Sequence, residues 1–209
     1  MKRRSFFKLG GLAALGTAIA NPIDTFAGPI DQSLNSKNKK AKNIIFMVSD
    51  GMSSGTFNLA NLYANRILGK NSNWLQLYID EKVSRGIMDM ASASSIVTDS
   101  AAASSSWGGG FRVNNGSLNI KPSGEESLPI WQKFLAKGKK AGCVTTVPIT
   151  HATPAGFTVS MKSRNDQDEI AQEYLRIGYD VLLGGGQRYF DAEHRKDSKD
   201  LYDAYANKN

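Results

Sequence analysis

Apolar positions along the chain alternate between two patterns. Ile44 to Val48 is an unbroken apolar run, which predicts a strand buried on both faces, and Ser49-Asp50-Gly51 ends it. The stretch "TFNLANLYANRILG" then shifts to helical spacing: Leu59, Leu62, Tyr63 and Ile67 share a face, and Gly69 supplies the stop. Residues 96–98 are a second strand candidate, followed by a small-residue helix from about Ala101. "LPIWQKFLAKGKKAG" has amphipathic spacing and predicts a helix closed by Gly138 or Gly142. "CVTTVPI" is a third strand, broken by Pro148; "EIAQEYLRIGY" is a helix; "DVLLGGG" is a fourth strand ending in glycines. Strands alternating with helices predict an α/β fold, a mostly parallel central sheet flanked by helices on both faces. Ligands of such sheets bind beyond the carboxyl ends of the strands. Asp50, Asp99-Ser100 and the loop bearing His151 all fall there.

The first residues follow a different pattern. "MKRRSFFKLGGLAALGTAIA" has a basic head (Lys2, Arg3, Arg4, Lys8), no acid, and then an apolar, Gly/Ala-rich stretch. This is the layout of an export signal, with Arg3-Arg4 and the following Phe6, Phe7 and Lys8 matching a twin-arginine type. The stretch is too short for a comfortable membrane span. Residues 1–27 are therefore read as the signal, 28–42 as a polar tether and 43–209 as the folded body. A periplasmic or secreted protein with no stable membrane anchor is expected.

Composition narrows the field further. The 209 residues are 41% apolar and 22% charged, which suits a globular domain. The net charge of +7 is concentrated in the leader and the lysines near residue 40, and no basic stripe with interleaved aromatics marks a nucleic-acid surface. Cys143 is the only cysteine, so there is no intrachain disulfide and no thiolate zinc cluster; its apolar neighbours suggest a core thiol.

Four positions carry candidate chemistry. Asp50 at a strand end suits a hard cation, or the capping of the next helix. Asp99-Ser100 either caps a helix or presents a nucleophile where free N–H groups and the helix dipole favour negative charge. Small Ala101–Ala103 would let ligands approach. His151 and Thr153, two apart, suit a metal, though a hydrogen-bonded loop histidine fits equally. Arg164 suits a bidentate grip on phosphate, or a surface ion pair with Asp166 or Asp168. Gly51-Met52-Ser53-Ser54-Gly55 also matches G-x-S-x-G, which raises a serine esterase using Ser53 and His151. A phosphate- or metal-binding remnant without turnover is a third reading.

Four ordered segments together resemble the alkaline phosphatases: "NIIFMVSDGM", "VTDSAAAS", "THATPAGFTVSMKSR" and "DVLLGGGQRYF". The resemblance implies hydrolysis of small phosphomonoesters through a phosphoserine at Ser100. It implies two Zn2+ and one Mg2+, with Asp50 bridging a zinc and the magnesium. Thr153 matches a magnesium ligand, and His151 stands where the family varies between Asp and His at the third metal. Arg164 matches the phosphate-gripping arginine and Asp99 the acid that orients it. Homodimers are common in the family. Its members are considerably longer, so the remaining ligands are expected after Asn209, with little or no phosphatase activity in this chain alone and apolar surface left uncovered.

Overall fold

The computed structural model describes residues 41–208. The segments read as a signal (1–27) and, for the most part, as a tether (28–42) lie outside the described residues. The chain divides into two units, residues 1–48 and 49–209. In the first, described residues 41–48 form neither helix nor strand. The second carries α1 (Ser54–Leu68), α2 (Asn73–Ile79), α3 (Ser100–Gly108), α4 (Ile130–Leu135), β1 (Gly142–Pro148), α5 (Ala152–Thr158), α6 (Gln167–Ile177), β2 (Val181–Gly185), a 3-10 turn (Gln187–Tyr189) and α7 (Leu201–Ala206).

Local chemistry sets most of these boundaries. Ser53 caps α1 by accepting the Thr56 N–H, and Gly69 ends it in the left-handed region. Gly178 ends α6 in the same way, at φ 80°. The helix expected to run to Gly138 or Gly142 stops at Leu135, and Gly142 instead opens β1.

β1 and β2 pair in parallel, with Cys143 opposite Leu182 and Val144 opposite Leu183; α5 and α6 form the crossover. Cys143 and Leu182 are half-buried against the core, while Val144 and Leu183 are exposed on the other face. The described sheet is thus a pair covered on one side, smaller than the doubly flanked sheet expected from the sequence.

Two expected strands do not form. Residues 44–48 carry no strand assignment among the described residues; Ile45 is 86% and Met47 82% exposed. Residues 96–98 bend, and the Val97 carbonyl accepts from the Asn115 side chain rather than from a neighbouring strand. Strand character in a sequence is fulfilled only where a second backbone supplies the ladder.

The core lies between α3, α5, α6 and the end of β1. Ala101, Leu118, Ala152, Ala155, Ile170 and Tyr174 are fully buried in it. α3 packs on α5 at backbone distance: a Cβ added at Gly156 would overlap Ser104 Oγ, and one at Gly108 would overlap the Gly156 carbonyl. Small residues on both helices permit this approach. Ala101 and Ala102, directly after Ser100, are buried as well.

Candidate functional site

The α3–α5 packing brings two helix starts together. Asp99 is the N-cap of α3: its Oδ1 accepts the Ala102 N–H at 2.9 Å, and its carbonyl accepts that of Ala103. Ser100 is therefore the first helical residue, at the positive end of the helix dipole. His151 caps α5 without a side-chain hydrogen bond to it, so Thr153 lies in the first turn of a helix rather than in the loop expected.

Asp50 is where the two meet. Ser100 Oγ donates to Asp50 Oδ2 at 2.8 Å, and Thr153 Oγ1 donates to the same oxygen at 3.0 Å. Residues 50 and 103 positions apart thus converge on one carboxylate oxygen. Asp50 does not cap α1; Ser53 does. Partial burial by itself would raise the Asp50 carboxyl. The hydrogen bonds from Ser100, Thr153 and the Gly51 backbone outweigh it and hold the group below the ordinary carboxylate value.

The second half of the site is built on Arg164. Its Nη1 donates to Asp99 Oδ2 at 3.0 Å, and its Nη2 lies 3.2 Å from His151 Nε2. Asp99 therefore caps the serine helix with one oxygen and holds the arginine with the other. No ion pair forms between Arg164 and Asp166 or Asp168 among the described residues. A guanidinium only donates, so His151 Nε2 faces it with a lone pair and the ring proton is assigned to Nδ1. Burial, then the Arg164 charge, lowers the His151 pKa against the opposing pull of Asp50, so the ring is neutral at neutral pH. His151 Nδ1 is buried with no partner among the described residues.

Every candidate residue named from the sequence thus belongs to one constellation except Ser53. Its hydroxyl caps α1 and lies 3.3 Å from Thr56 Oγ1. Neither histidine reaches it: His151 faces Arg164, and His194 Nδ1 pairs with Asp191 at 2.6 Å. The esterase constellation is not assembled.

Sequence reasoning missed Asn115 and Gly116. The Asp99 N–H donates to Asn115 Oδ1, and the Gly116 N–H donates to Asp99 Oδ2. The one signal was the Asn-Gly pair in "VNNGSL", a turn dipeptide with nothing chemical about it.

The site's ligand chemistry is oxygen-rich. Asp50, Ser100 and Thr153 offer hard donors at one point, and the His151 imidazole lies near enough for Asp50 to act on its charge. These features fit a metal's needs, oxygen donors for magnesium and an imidazole for a borderline ion. Among the described residues no group of three or more His, Cys, Asp or Glu gathers, so a full zinc ligand set is not present there.

Comparison with known proteins adds the following findings. The family model described as "Alkaline phosphatase" matches residues 41–209. Alkaline phosphatase 4 of Bacillus subtilis (strain 168) is 30% identical, over 98% of this chain and 47% of its own length. The crystal structure of Thermus thermophilus alkaline phosphatase superposes with a TM-score of 0.70 at 38% identity, covering 76% of this chain and 33% of that one. A His-to-Asp variant of TAB5 alkaline phosphatase, described with Mg bound in the M3 site, aligns with a TM-score of 0.61 at 26% identity, over 71% of this chain and 41% of that one. The chain spans less than half the length of each.

Proposed function

This chain belongs to the alkaline phosphatase family, and from that premise we propose that it carries the nucleophile-bearing part of a metal-assisted phosphomonoesterase, with Ser100 as the group that becomes phosphorylated. One observation supports this most: Ser100 opens a helix and its hydroxyl is bonded to an ionised Asp50 that also holds Thr153.

In this reading Ser100 Oγ forms the new O–P bond as the substrate's alcohol oxygen leaves in line. The phosphate then sits on Ser100 until water attacks phosphorus and returns the free serine and inorganic phosphate. Arg164 binds two phosphoryl oxygens through its fork, and Asp99 fixes the plane of that fork. The helix start adds N–H groups and a dipole facing the anion. Asp50 and Thr153 would hold magnesium, Asp50 and Ser100 would contribute to a zinc, and His151 would contribute to the third site. When bound, the metals supply positive charge that eases loss of the serine and water protons and offsets charge on the phosphoryl group.

The substrates of this reading are small phosphomonoesters, and a homodimer and export through residues 1–27 belong to it. No helix among the described residues is long and apolar enough to cross a membrane. The test is hydrolysis of p-nitrophenyl phosphate by the natural gene product with zinc and magnesium supplied. Ser100→Ala should lower kcat by on the order of 10³-fold or more. A Ser100→Ala protein that keeps about a tenth of the parent rate or more removes the phosphoserine route.

A further inference from the structure

Asp99 and Ser100 are adjacent in sequence, but Arg164 lies 65 residues from Asp99. Something must hold the arginine's segment at a fixed distance from the serine's helix, and the Asn114–Ser117 turn does so. Ser117 N–H closes it on the Asn114 carbonyl, and Gly116 sits in it at φ 86°, a left-handed conformation that other residues adopt poorly. The turn reaches in both directions. Toward the serine, the Asn115 amide spans residues 97 and 99: its Nδ2 donates to the Val97 carbonyl at 2.9 Å and its Oδ1 accepts the Asp99 N–H at 3.1 Å. Toward the arginine, the Gly116 N–H donates to Asp99 Oδ2 at 3.0 Å, and the Gly116 carbonyl accepts the Arg164 backbone N–H at 2.8 Å.

We infer that Asn115 is a positioning residue: its side-chain amide fixes the backbone entering the Ser100 helix in register with the arginine. This rests on the phosphoserine reading above. The 97–99 segment has no ladder to hold it, since no described strand pairs with it, and Ile96 and Val97 project into solvent (91% and 72% exposed). Two hydrogen bonds from one planar amide replace that ladder. A planar amide bonded at both ends leaves the segment little freedom to rotate, so the hydroxyl of Ser100 is held at a constant angle to the phosphate that Arg164 grips. Asn115 touches neither substrate nor reacting atoms in this arrangement. Its loss should slow the attack without weakening the grip.

Asn115 is exposed, so the fold does not depend on packing its side chain. Asn115→Leu keeps the shape and removes both bonds. Asn115→Asp keeps an acceptor for the Asp99 N–H but sets an anionic oxygen against the Val97 carbonyl. With p-nitrophenyl phosphate, Asn115→Leu should lower kcat on the order of tenfold. Inhibition by inorganic phosphate should stay within about twofold and the thermal midpoint should not move. Asn115→Asp should also fall below the parent rate, and a parent-like rate in it would overturn the need for the Val97 bond. An unchanged kcat in Asn115→Leu overturns the inference. So does a fall in kcat matched by weaker phosphate inhibition and a lower midpoint, because that pattern marks general loosening. Ser100→Ala run alongside separates the two levels. If Ser100→Ala is inactive and Asn115→Leu is not impaired, only the positioning role falls. If Ser100→Ala remains active, the phosphoserine reading falls and this inference with it.

Discussion

The α3–α5 contact and the apolar stripe of α1 are both helix faces, yet they end in opposite states. Across α3 and α5 small side chains are fully buried, and the backbones approach until Gly108 and Gly156 tolerate no Cβ. On α1 the residues whose spacing predicts a core face stay out: Leu59 is 68%, Leu62 65% and Ile67 61% exposed. The difference lies in partners. α3 and α5 each find the other about fifty residues away, with Asn119 donating to the Gly156 and Val159 carbonyls and Ser104 to that of Ala152. The apolar stripe of α1 meets no such surface among the described residues. Amphipathic spacing states which face seeks burial; it does not supply what covers it.

The comparison breaks most readily at its tight side. Gly156→Val would drive a branched side chain into Ser104, and a destabilisation of about 3 kcal/mol in urea unfolding is expected, with loss of the shared Asp50 contact because Ser100 and Thr153 lie on the two helices. A change below about 1 kcal/mol would mean that the helices do not approach at backbone distance.

Tyr174 tests how strongly the buried side is sealed. Its hydroxyl donates to the Ile149 carbonyl at 3.0 Å, two residues before His151, and lies 3.2 Å from Thr158 Oγ1. Tyr174→Phe should cost about 1 kcal/mol at neutral pH. Burial also pushes the Tyr174 phenol well above its ordinary value of 10.0, and the same cause pushes Tyr205 up to about 12. A phenol whose folded pKa is raised contributes stability that is complete below the unfolded value near 10 and lost as pH rises through the folded value. Stability should therefore fall as pH rises above 10, and less steeply in Tyr174→Phe. Parallel curves for the two proteins in thermal melts across that range would show that Tyr174 does not titrate with unfolding.

The smallest effect belongs to the open side. Leu62→Gln should change stability by no more than about 0.5 kcal/mol and reduce self-association measured by light scattering. A loss above about 2 kcal/mol in the natural gene product would mean that a surface does cover α1 there.

Much of the site was legible residue by residue. Asp50, Asp99, Ser100, His151, Thr153 and Arg164 stand in short motifs, and the structure gathers all six. The choices posed for them were in one case not exclusive: Asp99 is both a helix cap and the partner of the arginine, one oxygen for each. Asn115 was not legible, because its importance comes from bonds to residues 97 and 99 that no local pattern announces. The small residues of α3 were legible as small, but the close approach of Ser104 and Gly108 to Gly156 was not.

By itself the sequence determined what neighbouring residues settle among themselves. Ser53 and Asp99 cap helices three residues ahead, Gly69 and Gly178 end helices in left-handed turns, and the runs at 142–148 and 181–185 become strands. Interactions over three or four positions are fixed by the local backbone, so their signals survive in any context. Only the tertiary structure decided which apolar runs pair and that Ser100 and Thr153 share one oxygen of Asp50. Those outcomes depend on bringing together segments up to 103 residues apart. Both the ladder and the shared carboxylate need a second piece of chain whose position no single stretch of sequence specifies.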